Sequence, residues 1–307
     1  MHKISRRRFL AQSAATASLA SCASLEQTGA GHYIDAHSHL WTPDTTKYPL
    51  APGFKKSDMK PASFTPEELF KHCKPEGVDR IVAIQMSYYR FDNRYMLDMI
   101  ARHPGVFRGV AIVDESLADV AQQMKTLAKQ GVSGFRVNRG QQSLVSWIDS
   151  PGMERMWKTA AEEGLAICPL IDPEALPLID RMCARFPKTR VVIDHFARLG
   201  MAGAVSKNQL DALCRLARHP HTHVKTSAFY ALGQKKAPYL DMGPMIRRLR
   251  DAYGAQRLMW ASDCPFQIGE GHTYHDSIAL IRDRLDFLTP EDKNWMLRKT
   301  AEKVFFV

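Results

Sequence analysis

From residue 33 onward the chain repeats one pattern eight times: a short β-branched apolar run, a few loop residues, then an amphipathic helix closed by Gly or His-Pro. The apolar runs cover residues 33–41, 78–87, 107–114, 131–138, 165–172, 190–198, 223–230 and 257–266. Between them, 116–129, 174–186, 206–218 and 245–253 space Leu, Ile, Val and Met at three and four residues. Thr65-Pro66-Glu67-Glu68 and Thr289-Pro290-Glu291-Asp292 read as helix starts, with a capping hydroxyl, Pro in the first turn and acidic residues beside it. Strands separated by crossover helices must pair in parallel. Eight such units in about 275 residues predict a single closed (β/α)₈ barrel over 33–307, an α/β fold. No Gly-rich phosphate turn follows the first strand, which argues against a dinucleotide-binding sheet.

A barrel of this kind carries its chemistry at the C-terminal ends of its strands, which gives each reactive side chain a positional test. Asp35-Ala36-His37-Ser38-His39 ends strand one, and strand alternation predicts that all three titratable groups point the same way. Asp194-His195 closes strand six and Asp263 closes strand eight, so both pass. His219, His221 and His223 precede strand seven and belong to the opposite end, where a metal site is not expected despite their spacing. Arg136 and Arg139 stand where strand four reaches the mouth, and Arg198 follows strand six. A guanidinium there can hold a carboxylate in bidentate fashion. Arg136 is the first candidate for substrate contact. Arg198 and Lys225 are further candidates that equally suit structural ion pairs, as does Arg139. His275, in the loop after strand eight, could also contact substrate. The long connection 42–63 carries Tyr48, Phe54 and three prolines and suits a lid or specificity element.

The first residues read differently. Ser5-Arg6-Arg7-Arg8-Phe9-Leu10 followed by an Ala- and Ser-rich apolar stretch resembles a twin-arginine export signal over 1–21, too short to span a bilayer. Leu19-Ala20-Ser21-Cys22 resembles a lipoprotein processing box, which makes Cys22 the acylated residue and 22–32 a tether. The expected product is a periplasmic, membrane-anchored lipoprotein. The formal net charge of +10 falls to +6 once Lys3, Arg6, Arg7 and Arg8 leave with the leader. That mild excess, without a basic run, excludes a nucleic-acid face and suits an anionic small-molecule substrate. The five remaining cysteines are scattered, with no Cys-x-x-Cys pair, so no disulfide framework is expected.

Taken together, Asp35-Ala-His37-Ser-His39-Leu-Trp41, Gly131-Val-Ser-Gly-Phe-Arg136-Val-Asn138, Val192-Ile-Asp-His195-Phe-Ala-Arg198, His223-Val-Lys225-Thr-Ser227 and Trp260-Ala-Ser262-Asp263-Cys-Pro265-Phe266 resemble the amidohydrolase-2 branch of the amidohydrolase superfamily, within it the lactonases. The closing segment from Leu297 to Phe305 resembles the last helix of the same families. The resemblance implies a barrel hydrolase with Asp263, His195, His37 and His39 as catalytic groups. It also implies either no cofactor or one divalent metal, zinc or manganese, on His37, His39, Asp263 and His195. Two departures count against a binuclear centre: Cys168 stands where metal-dependent relatives place a strand-five histidine, and Arg136 where binuclear relatives place a bridging lysine. A thiolate at Cys168 could replace the imidazole, although a small buried cysteine is the simpler expectation.

The resulting expectation is an exported hydrolase that opens a lactone or cyclic ester by water attack, with Asp263 as general base. A metal-dependent decarboxylase of an aromatic or unsaturated acid shares the scaffold, and a tethered binding protein without catalysis is the third reading.

Overall fold

The computed structural model describes residues 32–138 and 144–307. Cys22, the leader and Arg139 therefore lie outside the described residues. The compact unit Gly31–Val307 is built on one sheet of eight parallel strands in sequential order. They are β1 (Tyr33–His39), β2 (Val78–Ile84), β3 (Phe107–Ala111), β4 (Val132–Val137), β5 (Ala166–Pro169), β6 (Arg190–Ile193), β7 (Thr222–Thr226) and β8 (Leu258–Trp260). The crossovers carry α1 (Pro66–Cys73), α2 (Arg94–Arg102), α3 (Val120–Ala128), α4 (Leu144–Ile148), α5 (Pro151–Glu163), α6 (Leu176–Arg185), α7 (Lys207–Arg215) and α8 (Gly243–Tyr253). After β8 come α9 (Tyr274–Ala279), α10 (Pro290–Asn294) and α11 (Thr300–Phe305). This is the expected eight-stranded barrel with helices outside.

The capping residues do what their chemistry predicts. Thr65 accepts from the Glu68 amide while Glu68 accepts from the Thr65 amide, and Thr289 and Asp292 repeat the exchange at α10. Alternation along each strand divides the core in two. Outward residues such as Phe107, Phe135, Val191 and Trp260 pack beneath the helices, while Val82, Val110, Ala166, Val192 and Met259 fill the barrel and meet Val304 and Phe305 of α11.

The strands are shorter than the apolar runs that foretold them. Strand six ends at Ile193, and His195, Phe196, Ala197 and Arg198 instead form a left-handed turn with φ of 50°, 53°, 53° and 58°. Strand one departs from the expected alternation of side chains. Its register with β2 shifts between Asp35 and Ser38, so Asp35 does not share the face of His37 and His39. Its carboxylate instead accepts from Tyr274 on α9 and from the amide and hydroxyl of Ser262. The β7 start takes in His223, placing it inside the strand rather than before it.

Candidate active site

Neighbouring strands send their inward side chains to one point at the mouth of the barrel. His37 and His39 come from β1, Arg136 from β4, Lys225 from β7, and Asp194, His195 and Asp263 from the turns closing β6 and β8. The last residues of this group are held by unusual backbone. His195, Ala228 and Asp263, which follow β6, β7 and β8, all have positive φ, a conformation that costs non-glycine residues energy and recurs at functional sites.

His37 Nε2, His39 Nε2 and Asp263 Oδ1 form a near-equilateral triangle with edges of 3.4, 3.4 and 3.5 Å. The tautomers are fixed from behind. His39 donates from Nδ1 to the Ile84 carbonyl at 3.0 Å, which leaves its Nε2 lone pair facing the triangle. His37 Nε2 lies 2.9 Å from Arg136 Nη2, a pure donor, so this nitrogen too presents a lone pair. Three possible ligand atoms thus converge, an arrangement that a cation would suit. Edges of this length fit a tetrahedral face, for which bonds of about 2.0–2.1 Å place ligand atoms roughly 3.3–3.4 Å apart. This trio is the one metal-capable group among the described residues.

One expected ligand, His195, falls outside it, and so does Cys168, the substitute considered for a missing imidazole. His195 Nε2 stands 3.7 Å from Asp263 Oδ2 while its Nδ1 meets Ser227 Oγ at 2.8 Å, so it faces the carboxylate and is not a member of the trio. Cys168 is buried among the apolar side chains of the barrel interior, outside the trio, and burial pushes its thiol up to about 12.

Beneath the triangle lies a fully buried charge cluster. Asp194 Oδ1 is 3.0 Å from Lys225 Nζ and 3.4 Å from His37 Nδ1, and Asp194 Oδ2 accepts from Arg136 Nη2 at 3.1 Å. Burial opposes ionisation of Asp194, but Lys225, His37 and Arg136 outweigh it and hold the carboxyl well below its usual range. For His37, burial, then Lys225 and His195, press the imidazole toward neutrality. Burial likewise lowers His195 against the pull of Asp263. Asp263 is itself buried, which would raise it, yet His195, a hydrogen bond with His39 and His37 hold it far below the ordinary range. Its Oδ2 also accepts from the Tyr230 hydroxyl at 2.9 Å. The result is a carboxylate that favours its ionised form, beside His37 and His195, whose imidazoles burial presses toward neutrality.

A cavity of about 310 Å³ opens over this group. His39, His195, Asp263, Arg136, Arg198 and Tyr230 face it, against apolar walls from Met86, Ile112, Leu170, Leu232 and Phe266. Arg136 thus occupies the expected place, and Arg198 lines the cavity while paired to Asp172 at 3.1 Å. The other two candidates for substrate contact do not reach it. Lys225 is fully buried under His37, where it supports the charge cluster. His275 is exposed on α9 and pairs with Glu76 at 3.0 Å, before β2 and so at the other end of the barrel. His219 pairs with Asp180 at 2.7 Å, and His223 is buried with its imidazole pushed down to about 4 by burial, so neither builds a site. The sequence reading missed Asp194 as the hub of the cluster and missed Tyr230 and Ser227 altogether. Their signal was position alone, each standing within a few residues of a strand's C-terminal end.

A scaffold of this order with a His-x-His on strand one and an aspartate after strand eight defines a class of barrel hydrolases, and comparison with known proteins places the chain within it. Residues 34–307 match the amidohydrolase family, in its amidohydrolase-2 branch, and the chain belongs to that family. It is 31% identical over 240 residues to an L-fucono-1,5-lactonase of Burkholderia ambifaria, covering 78% of this chain and 82% of that protein. It is 26% identical to a 4-sulfomuconolactone hydrolase of Rhizobium radiobacter, covering 75% of each. Among solved structures, an amidohydrolase of Burkholderia multivorans with bound zinc superposes with a TM-score of 0.78 at 20% identity, over 90% of this chain and 99% of that one. The protein is a hydrolase with lactonase relatives.

Proposed function

We propose that this protein opens a lactone by water attack, with Asp263 as the general base. The observation that carries the reading is the Asp263 carboxylate, held between His39, His195 and Tyr230 and facing the catalytic cavity. Water adds to the acyl carbon as Asp263 takes its proton, forming the new carbon–oxygen bond. The tetrahedral intermediate then expels the ring oxygen, which receives the proton from Asp263, and a hydroxy acid leaves. Tyr230, donating to Oδ2, fixes the rotation of the carboxylate so that Oδ1 faces the two histidines. Arg136 and His195 border the cavity where negative charge develops, and Arg136 with Arg198 favours an anionic substrate. Asp194 and Lys225 keep His37 and Arg136 in place from below. His37, His39 and Asp263 would hold a divalent cation, zinc or manganese, whose chemistry is to acidify water and polarise a carbonyl.

The test is proton release from sugar-derived, pyrone and muconate-type lactones, run with and without a chelator. Asp263→Asn is expected to lower kcat by ~10²–10⁴ while circular dichroism stays unchanged. Full turnover in that variant would overturn the assignment. Loss of activity on chelation would put a working cation on the trio, and survival would assign the reaction to the side chains alone.

We also propose export by the twin-arginine route and anchoring through acylated Cys22. The basis is the Arg6-Arg7-Arg8 leader and the Leu19-Ala20-Ser21-Cys22 box. Cys22→Ala should release a soluble periplasmic form, and a variant that still sediments with membranes would contradict the anchor.

A further inference from the structure

The catalytic cavity adjoins a larger chamber of about 680 Å³, the two sharing Ser87, Ile112, Arg136 and Asn138 as a common wall. Among the described residues the chamber is further lined by Phe54, Phe91, Val113, Trp147, Met153 and Met156, beside the charged Arg90 and Glu115, drawn from the segments after β1, β2 and β3 and the helices α4 and α5. One of these is out of place for a soluble surface. Phe91 is 47% exposed, and of the six exposed large apolar side chains among the described residues, three line the two cavities: Phe91, Met201 at 51% and Phe266 at 37%. Apolar side chains gathered at the rim of a cavity mark a surface that a ligand covers.

The inner cavity has a complementary bias. Several of its polar groups are already engaged: Tyr230 donates to Asp263, Arg198 pairs with Asp172, and the Gln85 amide donates to the Arg90 and Asp92 carbonyls. Ring hydroxyls turned toward the wall of Met86, Leu170, Leu232 and Phe266 would be buried there without partners, and each such burial is costly.

Resting on the lactonase reading, we propose that the substrate is a lactone carrying an extended apolar arm, an alkyl, acyl or aryl substituent. The ring sits over Asp263 and the arm lies in the chamber against Phe54, Phe91 and Trp147. The enzyme then prefers such lactones over polyhydroxylated sugar lactones of the same ring size, even though a sugar lactonase is among its relatives.

The test uses two series on the intact mature protein. The first is kcat/KM for γ-lactones with unbranched arms from ethyl to octyl, beside a hydroxylated lactone of equal ring size. The second is calorimetric binding of 2-alkylcyclopentanones with the same arms, which keep the carbonyl but cannot be hydrolysed. Both kcat/KM and affinity are expected to rise about threefold to fourfold per added methylene, corresponding to roughly 0.8 kcal/mol each, until the arm fills the chamber. Phe91→Ser, a change at an exposed side chain, should cut the gain for the longest arms severalfold. Flat series, or preference for the hydroxylated lactone, would overturn the proposal. A Phe91→Ser slope equal to that of the wild type would overturn the placement of the arm. Ketone affinity that climbs with arm length while no lactone is turned over would leave the arm site standing and remove only the hydrolase reading.

Discussion

Arg136 and a bound cation would compete for the same lone pair. The guanidinium donates to His37 Nε2 at 2.9 Å, and that nitrogen is one corner of the metal-capable triangle. Two positive charges near one imidazole repel strongly in a buried site, where a few kcal/mol separate unit charges about 4–5 Å apart at an effective dielectric near 20. Arg136→Gln is therefore expected to tighten zinc binding by roughly tenfold or more, read by competition with a chelating dye rather than by turnover. Unchanged affinity would mean that the arginine imposes no such cost. At this scale the sequence was informative where a motif names the residue, as with His37, His39 and Asp263. It was silent where function depends on what lies beneath. Lys225 reads from the chain as a cation near the mouth and a candidate substrate contact. Only the fold, which sets β7 beside β6 and turns Lys225 inward toward β1, reveals that its ammonium is sealed between Asp194 and His37. His275 shows the reverse: it reads as part of the loop on the catalytic side of β8, and its place in the first turn of α9 carries it away to Glu76.

The left-handed turn at 195–198 connects backbone conformation with chemistry. Four consecutive non-glycine residues adopt positive φ, at a cost of roughly 1–2 kcal/mol each, and the surrounding packing must sustain it. The return is placement: His195 reaches Asp263 and Ser227, Arg198 stands at the cavity edge, and Phe196 and Ala197 anchor the turn in the core with no exposed surface. Ala197→Val puts a β-branched side chain at φ 53° in a sealed site, so a loss of about 2 kcal/mol or more is expected in urea denaturation, with a parallel fall in activity. A variant as stable as the wild type would show that the turn relaxes freely. Periodicity located every strand, because inward and outward positions both bury apolar side chains in a parallel barrel. It could not find where strand six stops, since the apolar run through Phe196 and Ala197 continues while the backbone has already left the sheet.

For the whole molecule, the decisive contact is the one that closes the barrel. β1 through β8 are joined by seven parallel ladders, but between β8 and β1 the ladder is replaced by a single bridge, Ser38 to Cys264. Two backbone hydrogen bonds hold it, Asp263 to His37 and His39 to Cys264, both 2.8 Å and both between catalytic segments. Barrel closure and site assembly are therefore the same event. Asp35 strengthens the seam from outside: its carboxylate gathers the His37 amide, the Ser262 amide and hydroxyl, and the Tyr274 hydroxyl of α9. Burial raises this carboxyl to about 6 against those hydrogen bonds, so near neutral pH the ionised acceptor is the form that ties strand one to strand eight. Asparagine has the same shape but keeps one acceptor oxygen and turns an amide toward groups that are all donors. Asp35→Asn is expected to cost about 3 kcal/mol of stability and to speed hydrogen exchange at the amides of His39 and Asp263 ahead of those in β3 to β5. Turnover should fall with it although Asp35 never faces the cavity, because His37 and Asp263 depend on the seam for their 3.4 Å separation. Uniform exchange across the barrel with full activity would mean that the seam is held by the two backbone bonds alone.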